Sequence, residues 1–168
     1  TLNEAVADGF PIDFTLQNSK DSLLNTVAEG INTPTDIVYE AIQALIEMGA
    51  DINHYNNYGR TPLHICAGNC MWAHCKLLLE HGADPNLCNS HGENLLMTLA
   101  VWRSYNTRDL FDEVLNKTKD INHKNNKGQT ALGLICRSYE RNLTEKMRAN
   151  DRQYICALLD AGADPELD

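Results

Sequence analysis

Cysteine and histidine side chains are concentrated between residues 64 and 75, which contain three of the six cysteines and two of the six histidines. Thiolate and imidazole groups are the ligands that zinc prefers in structural protein sites. A candidate zinc site here would combine His64, Cys66, Cys70 and His74. The paired Cys-x-x-Cys spacing that is typical of such sites is absent from this stretch. We therefore predict no metal ion and no cofactor for this chain.

A thiol beside an imidazole could also serve in nucleophilic catalysis. His64 and Cys66 are two positions apart, however, and side chains at that spacing on a helix point in different directions. The sequence contains no Gly-x-Ser-x-Gly turn, no glycine-rich phosphate-binding loop and no His-Glu-x-x-His pair. We therefore predict no catalytic residues and expect that the chain is not an enzyme.

The charge balance limits the class of partner. The 168 residues include 14 basic and 23 acidic side chains, which gives a formal net charge of −9. Proteins that bind nucleic-acid phosphates need clustered Lys and Arg, so we expect no nucleic-acid partner. No apolar run approaches the roughly 20 residues that span a bilayer, and we expect no membrane partner. We also expect no secretory signal, so a disulfide framework is not predicted.

The helices that position these side chains begin with the motif at residues 59–67, Gly-Arg-Thr-Pro-Leu-His-Ile-Cys-Ala. Thr61 is suited to cap a helix start, because its hydroxyl can accept from a first-turn amide. Pro62 then falls at the first helical position, where proline is well tolerated. A second helix is predicted over residues 72–81, since apolar residues recur there at helical spacing. Gly82 is predicted to end it in the left-handed conformation.

Both parts of this unit recur along the chain. The helix start reappears as KDSLLNTVA (20–28), GENLLMTLA (92–100) and KGQTALGLIC (127–136). The hairpin signature appears as GADIN (49–53), GADPN (82–86), TKDIN (118–122) and GADPE (162–166). The sequence therefore predicts a repeat protein, whose function we expect on a surface rather than in a catalytic pocket.

The unit from Asn56 to Cys88 resembles the ankyrin repeat, whose length of about 33 residues equals the spacing from Gly59 to Gly92. The resemblance implies an all-α fold, an ankyrin-repeat solenoid of stacked helix-turn-helix units with hairpin loops. It divides the chain into a half repeat at 1–16 and four repeats at 17–55, 56–88, 89–124 and 125–168. We expect these to form one domain, excised from a longer protein, and we expect a monomer.

The resemblance also implies scaffold roles for the histidine and cysteine side chains. In this family the histidine of the Thr-Pro-Leu-His motif braces the preceding turn, and this is the role implied for His64. A buried free thiol behaves as a small apolar side chain. The register places three thiols against the helix stack, Cys66, Cys75 and Cys136, and three at more exposed positions, Cys70, Cys88 and Cys156. It places three outer-helix side chains on the convex side, Trp72, His74 and Lys76.

The same register locates insertions around residues 31–36, 104–108 and 138–151. Each falls between the two helices of a repeat, so none disturbs the stacking surfaces. Long surface loops cost little free energy, and tolerated loop variation is one interpretation. The alternative is that residues 137–152 extend helices into an additional contact surface.

Members of this family generally bind partners on a concave face, lined by the hairpin tips and the ends of the first helices. The residues at these positions here, called the partner-binding set below, are Tyr55, Asn57, Tyr58, Arg60, Asn69, His91, Glu93, Val101, Trp102, Lys124, Lys127 and Arg137. Tryptophan and tyrosine are common hot spots, so the expected anchors are Tyr55, Tyr58 and Trp102. The expected orienting charges are Arg60, Glu93 and Lys127. For Trp102 the alternative is a side chain that folds back into local core beneath the adjacent insertion.

Charge changes sign along the predicted groove. Asp21 and Glu29 lie toward its N-terminal end, and Lys124, Lys127 and Arg137 lie toward its C-terminal end. Such a gradient orients a partner and accelerates encounter more than it adds affinity. A solvated surface without a selected pattern is the alternative.

The leading functional hypothesis is a protein–protein interaction module that binds a partner protein or peptide through the concave groove. The alternative is a regulatory or targeting domain of a larger enzyme, or of a bacterial effector acting in host cells. A minor alternative is a methyl-lysine reader, with a cage formed by Tyr58, Glu93 and Trp102. Asn53 and Asn86 occupy the hairpin position that asparaginyl hydroxylases modify in this family, and structural turn asparagines explain them as well. We expect a cytoplasmic or nuclear protein, located in the host cytosol if it is an effector.

Overall fold

The computed structural model describes Thr15 and residues 20–30, 35–102, 107–139 and 145–167. Its helices are α1 (Leu23–Glu29), α2 (Thr35–Glu47), α3 (Pro62–Gly68), α4 (Trp72–Glu80), α5 (Leu95–Val101), α6 (Arg108–Lys117), α7 (Ala131–Tyr139) and α8 (Glu145–Asp160). The β-structure in these residues is a single isolated bridge between Thr15 and Ser22. The predicted all-α fold is therefore confirmed. The half repeat predicted for residues 1–16 lies, apart from Thr15, outside the described residues.

The chain forms two compact units, a first unit of residues 1–84 and a second unit of residues 85–168. In the first unit α1 packs against α2 and α3, and α4 also packs against both. In the second unit α5 packs against α6 and α7, and α7 packs against α8. Each of the four predicted repeats thus contains one packed helix pair, while the limits of the repeats stay predictions.

The first helix of each repeat begins at a polar side chain that caps it. At the start of α3, the His64 amide donates to the Thr61 hydroxyl (3.4 Å), and the Thr61 amide donates to Nδ1 of His64 (3.2 Å). First-turn amides have no partner inside a helix, so such a cap stabilises it by about 1 kcal/mol. The predicted cap at Thr61 is confirmed. Similar caps start α1, α5 and α7, from Ser22, Asn94 and Thr130.

Glycine ends three of the second helices. Gly49, Gly82 and Gly162 follow α2, α4 and α8 with φ angles of 86°, 95° and 92°. After each glycine, the amide of an alanine donates to the carbonyl of a leucine in the last helical turn. The prediction for Gly82 is therefore confirmed. The equivalent position after α6 is Thr118, which has an extended backbone (φ −74°, ψ 125°).

The apolar cores of the two units differ in side-chain type. The core of the first unit is made largely of aliphatic side chains and thiols, including Leu24, Ile42, Leu45, Ile65, Cys66, Cys75 and Leu78. The second unit adds two buried aromatic rings, because Phe111 and Tyr154 meet edge to face with centroids 4.6 Å apart. The hydroxyl groups of Tyr154 and Thr107 are 3.0 Å apart. The repeat motif did not predict Tyr154 as a core residue.

Two side-chain positions predicted from the repeat register are wrong. Cys136 is exposed, because the buried face of α7 is formed by Leu132 and Ile135, three positions apart. His74 is buried at 4% exposure, because it packs against α2, where its ring meets Tyr39 with centroids 5.4 Å apart and its Nε2 lies 3.1 Å from the Thr35 carbonyl. Four thiol positions are confirmed: Cys66 and Cys75 are buried, and Cys70 and Cys156 are exposed. Cys88, Trp72 and Lys76 are half-buried.

The described residues include part of each predicted insertion. α2 begins at Thr35, so residues 35 and 36 are helical. α8 begins at Glu145, so residues 145–151 belong to a helix of 16 residues. The third insertion therefore extends a helix, while a contact role for it stays a prediction. The inserted residues 31–34, 104–106 and 140–144 lie outside the described part of the chain.

Candidate functional site

The hairpin tips that carry the partner-binding set share a turn built on an asparagine. The Asn56 amide donates to the Arg60 carbonyl (3.0 Å), and Asn56 Oδ1 accepts from the amides of Tyr58 and Arg60 (both 3.0 Å). Asn89 and Asn125 form the same turn in the second unit. The signal for this turn is the repeated Asn-x-x-Gly spacing, which the helix and hairpin motifs alone did not reveal.

Histidine side chains hold neighbouring tips together within each unit. In the first unit, Nε2 of His54 lies 2.9 Å from the carbonyl of Lys20. In the second unit, Nε2 of His123 lies 2.8 Å from the carbonyl of Gly92. Both carbonyls belong to residues with positive φ, 52° at Lys20 and 73° at Gly92. Lys20 therefore adopts the backbone conformation of the glycine that it replaces, and each pair of tips has a fixed spacing.

The hairpin asparagines Asn53 and Asn86 form structural hydrogen bonds. Asn53 Oδ1 accepts from the Asp84 amide (3.0 Å). Asn86 Oδ1 accepts from the Lys119 amide (2.8 Å), and its Nδ2 donates to the Lys117 carbonyl (3.1 Å). These bonds join successive repeats inside one unit. They support the structural explanation of Asn53 and Asn86.

In the first unit the two expected tyrosine anchors are exposed. Tyr55 is 41% exposed and Tyr58 is 60% exposed. The Arg60 guanidinium lies 5.6 Å from the centre of the Tyr58 ring, and its Nη2 lies 3.8 Å from Oε1 of Glu29. The guanidinium therefore contacts the Tyr58 ring, and most of the ring surface stays exposed to a partner.

The two asparagines of the partner-binding set in the first unit are also exposed. Asn57 lies at the hairpin tip beside Tyr58. Asn69 follows α3, and its Nδ2 donates to the Glu29 carbonyl (3.1 Å). This bond joins the ends of α1 and α3, so Asn69 presents a defined surface rather than a freely rotating side chain.

In the second unit the exposed apolar surface lies at the end of α5. Val101 is 49% exposed and Trp102 is 51% exposed. The alternative in which Trp102 folds back into local core is therefore wrong. The reason is the helical register, because the buried face of α5 is formed by Leu95, Leu96 and Leu99.

The polar residues of the partner-binding set in the second unit differ in how they are held. His91, Lys127 and Arg137 are exposed. Glu93 is half-buried, and its Oε2 accepts from Nδ2 of Asn89 (3.2 Å). The Lys124 ammonium donates to the Leu167 carbonyl (2.7 Å). Glu93 and Lys124 therefore have hydrogen-bond partners inside the protein.

The partner-binding set is divided between the units. Tyr55, Asn57, Tyr58, Arg60 and Asn69 belong to the first unit, and the other seven belong to the second. The methyl-lysine cage would combine Tyr58 of the first unit with Glu93 and Trp102 of the second, and it stays a prediction. Charge is divided unequally, since residues 1–84 contain three basic and eleven acidic side chains, and residues 85–168 contain eleven and twelve.

The two buried cysteines near the motif, Cys66 and Cys75, are poor nucleophiles. Burial raises the pKa of the Cys66 thiol from 9.0 to about 12. Burial also raises the pKa of Cys75 well above 9.0, with smaller contributions from Cys66 and Cys70. Both groups are therefore neutral thiols near pH 7.

Among the described residues, no three His, Cys, Asp or Glu side chains are grouped to hold a metal ion. No helix in this part of the chain is long and apolar enough to cross a membrane.

Comparison with known proteins identifies a family model and several relatives that match parts of this chain. A family model for ankyrin repeats (three copies) matches residues 12–89 and 32–125. A putative ankyrin repeat protein of Acanthamoeba polyphaga mimivirus is 29% identical over 141 residues, which cover 76% of this chain and 21% of that protein.

The names of two further relatives state a function for the whole protein. Transient receptor potential cation channel subfamily A member 1 of Homo sapiens is 32% identical over 102 residues, covering 59% of this chain and 9% of the channel. An ADP-ribosylation factor GTPase-activating protein of Arabidopsis thaliana is 34% identical over 70 residues, covering 42% of this chain and 9% of that protein. The chain thus spans a minor part of each of these relatives.

Proposed function

The chain belongs to the ankyrin repeat family, and from this premise we propose that it binds a partner protein or peptide through its hairpin tips and first-helix ends. Ankyrin repeats generally mediate protein–protein interactions. In this proposal the chain acts by binding alone, without catalysis. Tyr55, Tyr58 and Trp102 are the anchors, and Arg60, Glu93 and Lys127 orient the partner.

The observation that carries this proposal is the distribution of exposed apolar side chains. Among the described residues, six large hydrophobic side chains are at least 41% exposed: Ile37, Tyr55, Tyr58, Val101, Trp102 and Leu159. Four of the six are members of the partner-binding set. Exposed aromatic side chains on a braced surface are favourable for binding, because they bury a large area at little entropic cost.

Affinity capture with the whole chain as bait tests this proposal. The test variant carries Tyr58→Ala and Trp102→Ala, and the matched control carries Ile37→Ala and Leu159→Ala. The control removes two similarly exposed apolar side chains outside the partner-binding set. We expect a partner that the parent and the control capture and the test variant does not. Capture by both variants would contradict the proposal.

A regulatory or targeting role within a longer protein is the second candidate. It is favoured by the small share of each relative that the chain spans, 9% of both the channel and the GTPase-activating protein. An effector acting in host cells is one form of this role. Fusing residues 1–168 to a fluorescent protein tests it, since a targeting domain directs the fusion to one cellular site.

We further propose that the chain is a cytoplasmic or nuclear monomer. The same fluorescent fusion tests the location, and an extracellular or membrane-bound signal would contradict it. Light scattering during size-exclusion chromatography tests the oligomeric state, for which we expect the monomer mass of 18.8 kDa.

A further inference from the structure

The hairpin tips of the first unit carry most of its positive charge. Residues 1–84 contain three basic side chains, Lys20, Arg60 and Lys76, and eleven acidic ones. Lys20 and Arg60 lie on neighbouring tips, which are joined where Nε2 of His54 meets the Lys20 carbonyl (2.9 Å). Lys76 is half-buried on α4. The unit is acidic overall, yet two of its three cations lie on the tips.

Lys20 occupies a backbone position that favours glycine. Its φ is 52°, and the equivalent residues of the other three tips are Gly59, Gly92 and Gly128, with φ angles of 63°, 73° and 74°. A residue with a Cβ atom is disfavoured in this left-handed conformation. The exposed Lys20 ammonium forms no hydrogen bond or ion pair with any described residue. Backbone strain that no internal contact offsets is typical of functional positions, which indicates that this side chain acts at the surface.

The Arg60 guanidinium is positioned but has no hydrogen bond to any described residue. It lies 5.6 Å from the centre of the Tyr58 ring. Its Nη2 lies 3.8 Å from Oε1 of Glu29, which is too long for a hydrogen bond, so Glu29 attracts the guanidinium without accepting from it. Its Nε is shielded and has no partner, and the side chain is 42% exposed. The two Nη groups are therefore the donors that a partner can reach.

The carboxylates next to these tips are held by donors of the protein itself. Asp21 is only 7% exposed, and its Oδ1 accepts from Nδ2 of Asn56 (2.8 Å). Oδ1 of Asp51 accepts from the Asn53 amide (3.0 Å). The acidic groups of the tips are thus engaged internally, whereas the basic groups have donors left for a partner.

Resting on the binding role proposed above for this surface, we propose that the first-unit tips bind an acidic segment of the partner protein. One carboxylate of that segment accepts from the Nη groups of Arg60, whose planar fork matches a carboxylate. A second carboxylate lies near the Lys20 ammonium. The acidic partner is a protein segment and not a nucleic acid, because two cations release few counterions and the other acidic side chains of the unit repel a long phosphate backbone.

NMR titration of the whole isotope-labelled protein tests this proposal. The probe is a capped Gly-Glu-Glu-Glu-Gly peptide at millimolar concentration, and a capped Gly-Gln-Gln-Gln-Gly peptide is the neutral control. We expect the acidic peptide to shift the amide signals of Lys20, Tyr58 and Arg60, and the neutral peptide to bind about fivefold more weakly. Equal binding of the two peptides would overturn the proposal, and so would equally tight binding of an oligothymidylate.

Variants of the three basic side chains separate local recognition from overall charge. Arg60→Gln should weaken binding of the acidic peptide about fivefold, and Lys20→Gly about twofold. Lys20→Gly should also raise the melting temperature, because glycine removes the strain. Lys76→Gln loses the same charge away from the tips and should bind like the parent. Parent-like binding by Lys20→Gly, or equal weakening by Lys76→Gln and Arg60→Gln, would contradict the proposal.

The outcome also separates this proposal from the general binding role. If partner capture depends on Tyr58 and Trp102 while the acidic peptide leaves the Lys20 and Arg60 signals unchanged, the acidic segment is refuted and the binding role stands. If the acidic peptide binds as expected and capture is independent of Tyr58 and Trp102, the acidic segment is supported and the anchor residues are wrong.

Discussion

The first and second units contain the same kind of packed helix pairs, but they differ in how closely they follow the repeat motif. In the first unit, α3 begins with the reciprocal cap of Thr61 and His64, and α4 ends at Gly82 with positive φ. In the second unit, α5 and α7 begin without proline, as α1 does in the first unit, and Thr118 stands where the motif has glycine. Its core relies on the buried ring of Tyr154 instead of thiols.

Both units retain the hydrogen bonds of the turns. Asn56 and Asn125 fold equivalent tips, and His54 and His123 join those tips to their neighbours. Core side chains and surface charge vary around them. A core tolerates changes of side chain when its total volume is preserved, whereas a lost turn hydrogen bond leaves a backbone group without a partner. The comparison indicates that the turns specify the fold and that the surfaces between them are free to diverge.

Replacing Tyr154 gives the largest expected effect, and it tests the distinct core of the second unit. Tyr154→Ala removes a fully buried ring that contacts Phe111. We expect the free energy of unfolding to fall by about 3–5 kcal/mol, the range for truncating buried aromatic side chains. Urea denaturation measures it. Tyr154→Phe, which loses the contact with the Thr107 hydroxyl, should cost only about 1 kcal/mol. Equal effects of the two substitutions would contradict the packing role of the ring.

The pH dependence of stability tests the buried thiols of the first unit. The pKa of Cys66 is about 12 in the folded protein, compared with 9.0 for an unperturbed thiol. Folding thus favours the neutral thiol. The contribution of this thiol to the free energy of unfolding is therefore intact below pH 9 and is lost as the pH rises toward 12. The parent should lose about 1.4 kcal/mol per pH unit above 9 relative to Cys66→Ala. Cys136→Ala, at an exposed site of the second unit, should run parallel to the parent, and a parallel curve for Cys66→Ala would refute the assignment.

The cap of α3 gives a smaller effect. Thr61→Ala removes the hydroxyl that accepts from the His64 amide, and we expect a loss of about 1 kcal/mol in unfolding free energy. Thr61→Ser retains the hydroxyl and should be close to the parent. Chemical denaturation of the three proteins measures both values. If Thr61→Ser were as unstable as Thr61→Ala, packing of the threonine methyl group would explain the effect instead of the cap.

Much of the scaffold could be predicted from the sequence because the repeat signals are local. Thr61 caps its helix and Gly82 ends one, and both act through backbone groups within a few residues. The repeat register aligns Lys20 with glycine, and its positive φ of 52° agrees with that alignment. Local chemistry of this kind is read directly from residue type and spacing.

Side-chain burial was harder to predict because it depends on residues distant in sequence. The repeat register predicts Cys136 in the core, but the apolar face of α7 is formed by Leu132 and Ile135. His74 is buried through a bond with Thr35, which lies 39 residues earlier. Tyr154 lies on α8, whose first turns come from an insertion that the repeat pattern does not include.

The most direct test of the account is a titration of the captured partner against the parent, Tyr58→Ala and Trp102→Ala. Tyr58 belongs to the first unit and Trp102 to the second. The two single variants therefore test whether each unit supplies a binding anchor. We predict that each substitution weakens binding by about 2 kcal/mol or more, which is roughly thirtyfold in Kd, without lowering the free energy of unfolding. Binding equal to that of the parent in both variants would contradict the proposed surface.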